Sequence, residues 1–159
     1  MGFATGASRT PTATKPIRRR FAGEWSRSTA SWRGAVEVLN EKYREEPGRQ
    51  VVFLVPAGEA VCVLRELVVA GKAPGVARQS GLFRDDRGHP HAHVAALVGY
   101  CHYTVIYRRS PVGLPVPDAL KKAGLGRDTE ALNRVLQEVA WEVVTREPLS
   151  GVPAQAPTR

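Results

Sequence analysis

A short polar segment at residues 85–90, DDRGHP, contains the residue types that acyl-transfer chemistry needs. Asp86 and His89 are three residues apart, just ahead of an apolar stretch with helical spacing. A carboxylate at that spacing can hold one ring nitrogen of His89 and fix its tautomer, so that the other nitrogen accepts a proton. Pro90 suits the first position of a helix, and the positive end of that helix disfavours a charged imidazole. We therefore predict that His89 is a general base and that Asp86 orients it.

A longer string around this segment resembles a known enzyme family. LFRDDRGH at 82–89, the apolar stretch after it and YRRSPVGL at 107–114 together resemble the last block of SGNH-type (GDSL-like) serine hydrolases. VVFLVPAGEAV at 51–61 and GKAPGV at 71–76 are similar to the same subgroup. The resemblance runs from about Trp32 to about Val152. It implies an esterase with a three-layer, flavodoxin-like α/β/α fold, with His89 as the catalytic base and Asp86 as its partner.

The nucleophile of that family is not recognisable in this chain. The resemblance implies a serine in a Gly-Asp-Ser block near the N-terminus, and a glycine and an asparagine in two later blocks for the oxyanion hole. The nearest Gly-x-Ser ends at Ser8, and no apolar strand precedes it to hold it in place. We therefore predict a catalytically incomplete hydrolase fragment without a cofactor. Its substrate, if it is active, would be a small ester or an acylated carbohydrate.

The pattern along the chain predicts an α/β domain. Ser31 is a candidate N-cap for a helix that continues to Tyr43. The short apolar run at 50–56, QVVFLVP, is typical of a strand buried on both faces. Helical periodicity follows over about 57–70, 90–107 and from Asp128 onwards. A lone buried strand would leave its backbone groups unpaired, so the prediction is a partial α/β/α domain at 32–149.

Both ends of the chain are predicted to be loose tails, at 1–31 and 150–159. Residues 1–31 contain six basic residues and one acid, so they carry +5 of the net charge of +8. One alternative is therefore a non-enzymatic binding module whose basic tail contacts nucleic acid. The tail has few aromatic rings for stacking on bases, so nucleic acid is not the expected partner.

A histidine-rich metal site is the second alternative. His91 and His93 follow His89 at spacings of two, and Cys101 and His102 lie further along. A helix beginning at Pro90 would disperse these side chains, so no metal ligand is predicted, and His102 is expected to face inward.

The remaining composition points to an ordinary globular protein. Cys62 and Cys101 are expected to be buried free thiols. No apolar run is long enough to span a bilayer, so no membrane partner is expected. No export signal is recognisable, which gives a cytoplasmic location by default.

Overall fold

The computed structural model describes the backbone of residues 18–153 and the side chains of residues 31–153. This part of the chain contains five α-helices and two single turns of 3-10 helix, at Gln79–Leu82 and Pro148–Ser150. The helices are α1 (Arg18–Tyr43), α2 (Ala57–Val69), α3 (Ala92–Tyr107), α4 (Asp118–Lys121) and α5 (Asp128–Arg146).

The prediction of an α/β fold, with a three-layer α/β/α arrangement, was wrong. Over residues 18–153 no strands pair into a sheet, and the one β-type contact is an isolated antiparallel bridge between Phe83 and Pro90. The chain is helical instead, so the hydrolase-like scaffold that a parallel sheet would provide is not present in the described residues.

The segment at 50–56, predicted as a buried strand, is irregular with a bend at Val52, and no strand lies beside it in the described residues. The N–H groups of Val51 and Val52 both donate to Oδ1 of Asn40, at 2.8 Å each. Further along, the N–H of Leu54 donates to the carbonyl of Leu149 at 2.8 Å. A side-chain amide and a C-terminal turn therefore satisfy backbone groups that a neighbouring strand would satisfy in a sheet. The segment packs against helices and is half-buried, not buried on both faces as predicted.

The core lies between α2, α3 and α5. Each helix buries leucines completely against the other two, and these residues are Leu64, Leu97, Leu132 and Leu136. Burying one such side chain contributes about 1.5–3 kcal/mol. Apolar residues occur on several faces of α3, and this helix contacts both α2 and α5.

Helix α1 packs on the core mainly through polar contacts. Val36 is its one fully buried residue between 31 and 43, whereas Trp32 and Val38 are 63% and 67% exposed. Arg33 donates from Nε and Nη2 to Oε2 of Glu147, at 2.9 and 2.6 Å, and Glu147 is buried. Within the described residues the helix already runs from Arg18, ahead of the predicted start at Ser31, so helical backbone extends into the segment predicted as a tail.

The C-terminal segment returns to the body after α5. Ser150 and Val152 are buried, so the chain is packed at least as far as this point, where a loose tail was predicted. Gly151 has a φ of +69°, and a Cβ atom at this position would overlap the ring of Phe53. Only glycine therefore fits between the turn and the extended segment. None of the helices in residues 18–153 is both long enough and apolar enough to cross a membrane.

Candidate active site

The segment that carries His89 is a closed loop directly ahead of α3. Its ends are joined by the bridge between Phe83 and Pro90 and by a hydrogen bond from Arg84 N to His89 O, at 2.8 Å. Gly88 has a φ of +86°, which lets the chain reverse within the loop. Leu82, just before the loop, is 1% exposed and anchors it to the core.

Within this loop, Asp85 and His89 form a close pair. Oδ2 of Asp85 lies 2.5 Å from Nδ1 of His89. Oδ1 of Asp85 accepts hydrogen bonds from the backbone N–H of Arg87 at 3.1 Å and of His89 at 3.2 Å. The hydrogen bond from His89, followed by these backbone donors, lowers the pKa of the Asp85 carboxyl. Because an ionised carboxylate only accepts, Nδ1 must carry a proton, so in the uncharged form of the ring the lone pair is on Nε2.

The sequence identified Asp86 as the partner of His89, but the structure places Asp85 there. Asp86 is exposed and forms no hydrogen bond or ion pair with any described residue. Helix α3 begins at Ala92 with His91 as its N-cap, so Pro90 lies in the bridge and not at the first helical position. His89 therefore lies before the helix, where the influence of the helix dipole is weak.

The pair lies on the surface. The side chains of His89 and Asp85 are 65% and 38% exposed. Neither lines the cleft of about 460 Å³ beside α5 or the cleft of about 660 Å³ beside Phe53. No serine of the described part donates a hydrogen bond to His89. The arrangement can therefore accept a proton from an incoming group, but residues 31–153 provide neither a bonded nucleophile nor a recognisable oxyanion hole.

The other histidines do not converge on one point. The rings of His91 and His93 stack with centroids 5.8 Å apart, and His102 is exposed, with Nδ1 2.8 Å from the carbonyl of Val98. The expectation that His102 faces inward was wrong. Among the described residues no three histidine, cysteine or acidic side chains are placed to hold a metal ion.

The two cysteines are free thiols, as predicted, but the expected burial holds for Cys101 and not for Cys62. Cys101 is fully buried, and burial raises the pKa of its thiol to about 12. Cys62 is half-buried, and burial is also the largest cause that raises the pKa of its thiol. Neither thiol has the lowered pKa that an activated cysteine nucleophile requires.

Sequence reasoning missed a buried polar network between α3 and α5. Tyr100 donates to Oδ1 of Asn133 at 2.6 Å. One turn further along α5, Gln137 accepts from the N–H of Gly113 at 3.1 Å and donates to the carbonyl of Leu114 at 2.8 Å. The sequence feature that could have indicated this network is a pair of amide side chains, Asn133 and Gln137, four residues apart on the buried face of α5. Asn133 and Gln137 line a cleft of about 460 Å³, and Gln137 fixes the turn at its edge.

Comparison with known proteins assigns no family to this geometry. No family model matches the chain, and no similar curated protein or solved structure was found.

Proposed function

We propose that this chain is a catalytically incomplete serine-hydrolase-like fragment, which contributes the general-base pair His89–Asp85 to an esterase site. The observation that carries the proposal is the 2.5 Å contact between Asp85 Oδ2 and His89 Nδ1, which leaves Nε2 free on an exposed ring. The proposal concerns the site alone and does not require the chain to form a sheet.

The proposed chemistry is a proton transfer from a serine that is brought to His89. Nε2 of His89 takes the hydroxyl proton as the serine oxygen attacks the acyl carbon, and it returns the proton to the departing alcohol. Asp85 holds the ring and stabilises the imidazolium that forms between these steps. Because no described serine is bonded to His89, the nucleophile must come from elsewhere. The exposed position of the ring suits an incoming partner. The substrate class is a small ester or an acylated carbohydrate.

The test is cleavage of p-nitrophenyl acetate by the intact chain, since an accessible neutral imidazole accelerates hydrolysis of this activated ester. We expect His89→Gln to lose most of the protein-dependent rate, whereas His102→Gln, which removes another exposed histidine, leaves it unchanged. Asp85→Asn should lower the rate, because the ring loses the carboxylate that stabilises its charged form.

Asp86→Asn is the matched control for the carboxylate and should leave the rate unchanged. A fall in rate in this variant, without a fall in Asp85→Asn, would assign the orienting role to Asp86. An unchanged rate in His89→Gln would refute the proposal, because the base would then contribute nothing.

A further inference from the structure

The outward face of α3 is exposed but carries no charge. Each of the other four α-helices within residues 18–153 contains acidic or basic residues, whereas α3 contains none. Its exposed residues Ala95, Gly99, His102 and Ile106 follow one another at spacings of four, three and four, which places them on one face. Ile106 is 68% exposed. A helix without a charged outer side is normally buried, so this face is suited to contact another protein surface.

The order of small and large residues on this face fits a second copy of the same helix. When two copies run antiparallel about the middle of the face, Ala95 of each lies opposite Ile106 of the other, and Gly99 lies opposite His102. Each small residue then meets a large one. A Cβ atom added at Gly99 would have no atom within 4 Å, so the space above this residue can receive the partner's ring. A parallel pair would instead place Ile106 against Ile106 and Ala95 against Ala95.

The charges at the two ends of α3 also favour an antiparallel second copy. Arg109 follows the C-cap of the helix, and Asp86 lies six residues before its start at Ala92. Neither forms an ion pair with another described residue. Antiparallel pairing places the C-terminal end of one helix beside the N-terminal end of the other. The arginine of each copy and the aspartate of its partner therefore lie at the same end of the pair, twice over.

We propose that two copies of this chain form a symmetric dimer through antiparallel pairing of their α3 helices. The contact is isologous, so every pair of residues occurs twice. A helix of 16 residues is about 24 Å long, and one such helix buries less than the roughly 1,200 Å² of a stable interface. The dimer should therefore dissociate in the range of tens of micromolar or so. This inference is independent of the esterase proposal, because neither His89 nor Asp85 takes part in the pairing.

The experiment is sedimentation velocity of the intact chain between about 5 and about 500 μM, in about 0.15 M NaCl to screen the net charge of +8. We expect the sedimentation coefficient to rise from that of a monomer to that of a dimer. Ile106→Lys places a charge against Ala95 of the partner and should weaken the dimer at least about tenfold. Val38→Lys is the matched control, since Val38 is 67% exposed on α1 and should not affect the dimer.

A compensating pair of substitutions tests the orientation of the helices. Ala95→Glu alone should also weaken the dimer. The double variant Ala95→Glu with Ile106→Lys places a carboxylate opposite an ammonium at both ends of the face and should dimerise more tightly than either single variant. Within one chain the two positions are roughly 16 Å apart along the helix, too far to pair with each other. Both are exposed, so far-UV circular dichroism should show that all three variants fold.

The proposal is overturned if the folded chain remains a monomer at about 500 μM. It is also overturned if Ile106→Lys dimerises as the native chain does, since the contact would then lie elsewhere. A double variant that dimerises no better than the single variants would exclude the antiparallel arrangement, because a parallel pair places like charges opposite each other.

Discussion

At the scale of single residues, the turn that contains Gly88 decides which carboxylate contacts His89. Asp85 and Asp86 are adjacent, so spacing alone cannot decide which of them reaches His89. The positive φ of Gly88 and the backbone bonds to Oδ1 bring Asp85 onto Nδ1. That His89 acts as a base stays a prediction. Neither the turn nor the identity of its carboxylate could be predicted from a three-residue spacing.

Because His93 is buried, we expect the folded protein to lose stability in weak acid. His93 is 6% exposed, and its Nε2 has no hydrogen-bond partner. Burial, followed by the charge of His91, lowers the pKa of His93 below its usual 6.5. The unfolded chain therefore binds this proton more readily than the folded chain, so stability is complete above about pH 6.5 and falls as the pH decreases below it.

Urea unfolding of the native chain and of His93→Leu, at pH 7.5 and pH 5, checks this prediction. We expect a smaller difference between the two pH values in His93→Leu than in the native chain, and no such reduction in His102→Gln, since His102 is exposed. The same pH dependence in His93→Leu and in the native chain would show that His93 is not responsible.

At the scale of elements, long periodic segments were predictable and short ones were not. Helices were predicted over about 57–70 and 90–107, and the structure has Ala57–Val69 and Ala92–Tyr107. The apolar run at 50–56 predicts a buried strand from its composition, but composition does not reveal which groups would pair with its backbone. Its backbone partner is the amide of Asn40, a single polar side chain on a helix, which no periodicity indicates.

Gly151→Ala should destabilise the protein. Its Cβ would overlap the ring of Phe53, in addition to the cost of a positive φ for alanine. Gly48→Ala is the matched control, because Gly48 also has a positive φ but has no atom near the added Cβ. Gly48→Ala should cost about 1 kcal/mol, and Gly151→Ala a further 1–3 kcal/mol or so, measured by urea unfolding. Equal losses would mean that Phe53 moves aside easily.

At the scale of the whole molecule, a three-helix core carries a long helix that is attached mainly by polar contacts. The apolar residues of α2, α3 and α5 made this core predictable from their spacing. The attachment of α1 was not predictable, since it depends on Arg33 contacting Glu147, more than a hundred residues later in the chain. The basic segment at 1–17, including Ser8, lies outside the described residues, so the nucleic-acid alternative stays a prediction there.

The ion pair between Arg33 and Glu147 should control the docking of α1. Glu147 is buried, and Arg33 → Ala would leave its carboxylate without a cationic partner. We expect a loss of about 1–2 kcal/mol in the free energy of unfolding, because Arg33 is partly exposed and water screens the pair. Adding Glu147→Gln should recover part of the loss. Arg134→Ala, which breaks a surface pair within α5, should cost much less. A similar loss in both arginine variants would contradict this account.

Labelling of the folded chain with a fluorophosphonate probe, read by mass spectrometry of the adduct, tests the central claim most directly. The probe reacts with serines that a neighbouring base activates. Since His89 has a carboxylate partner but no bonded serine in the described structure, the account predicts no serine adduct on the chain alone. A stoichiometric adduct on one serine, abolished in His89→Gln, would contradict it and would mean that the chain contains a complete hydrolase site.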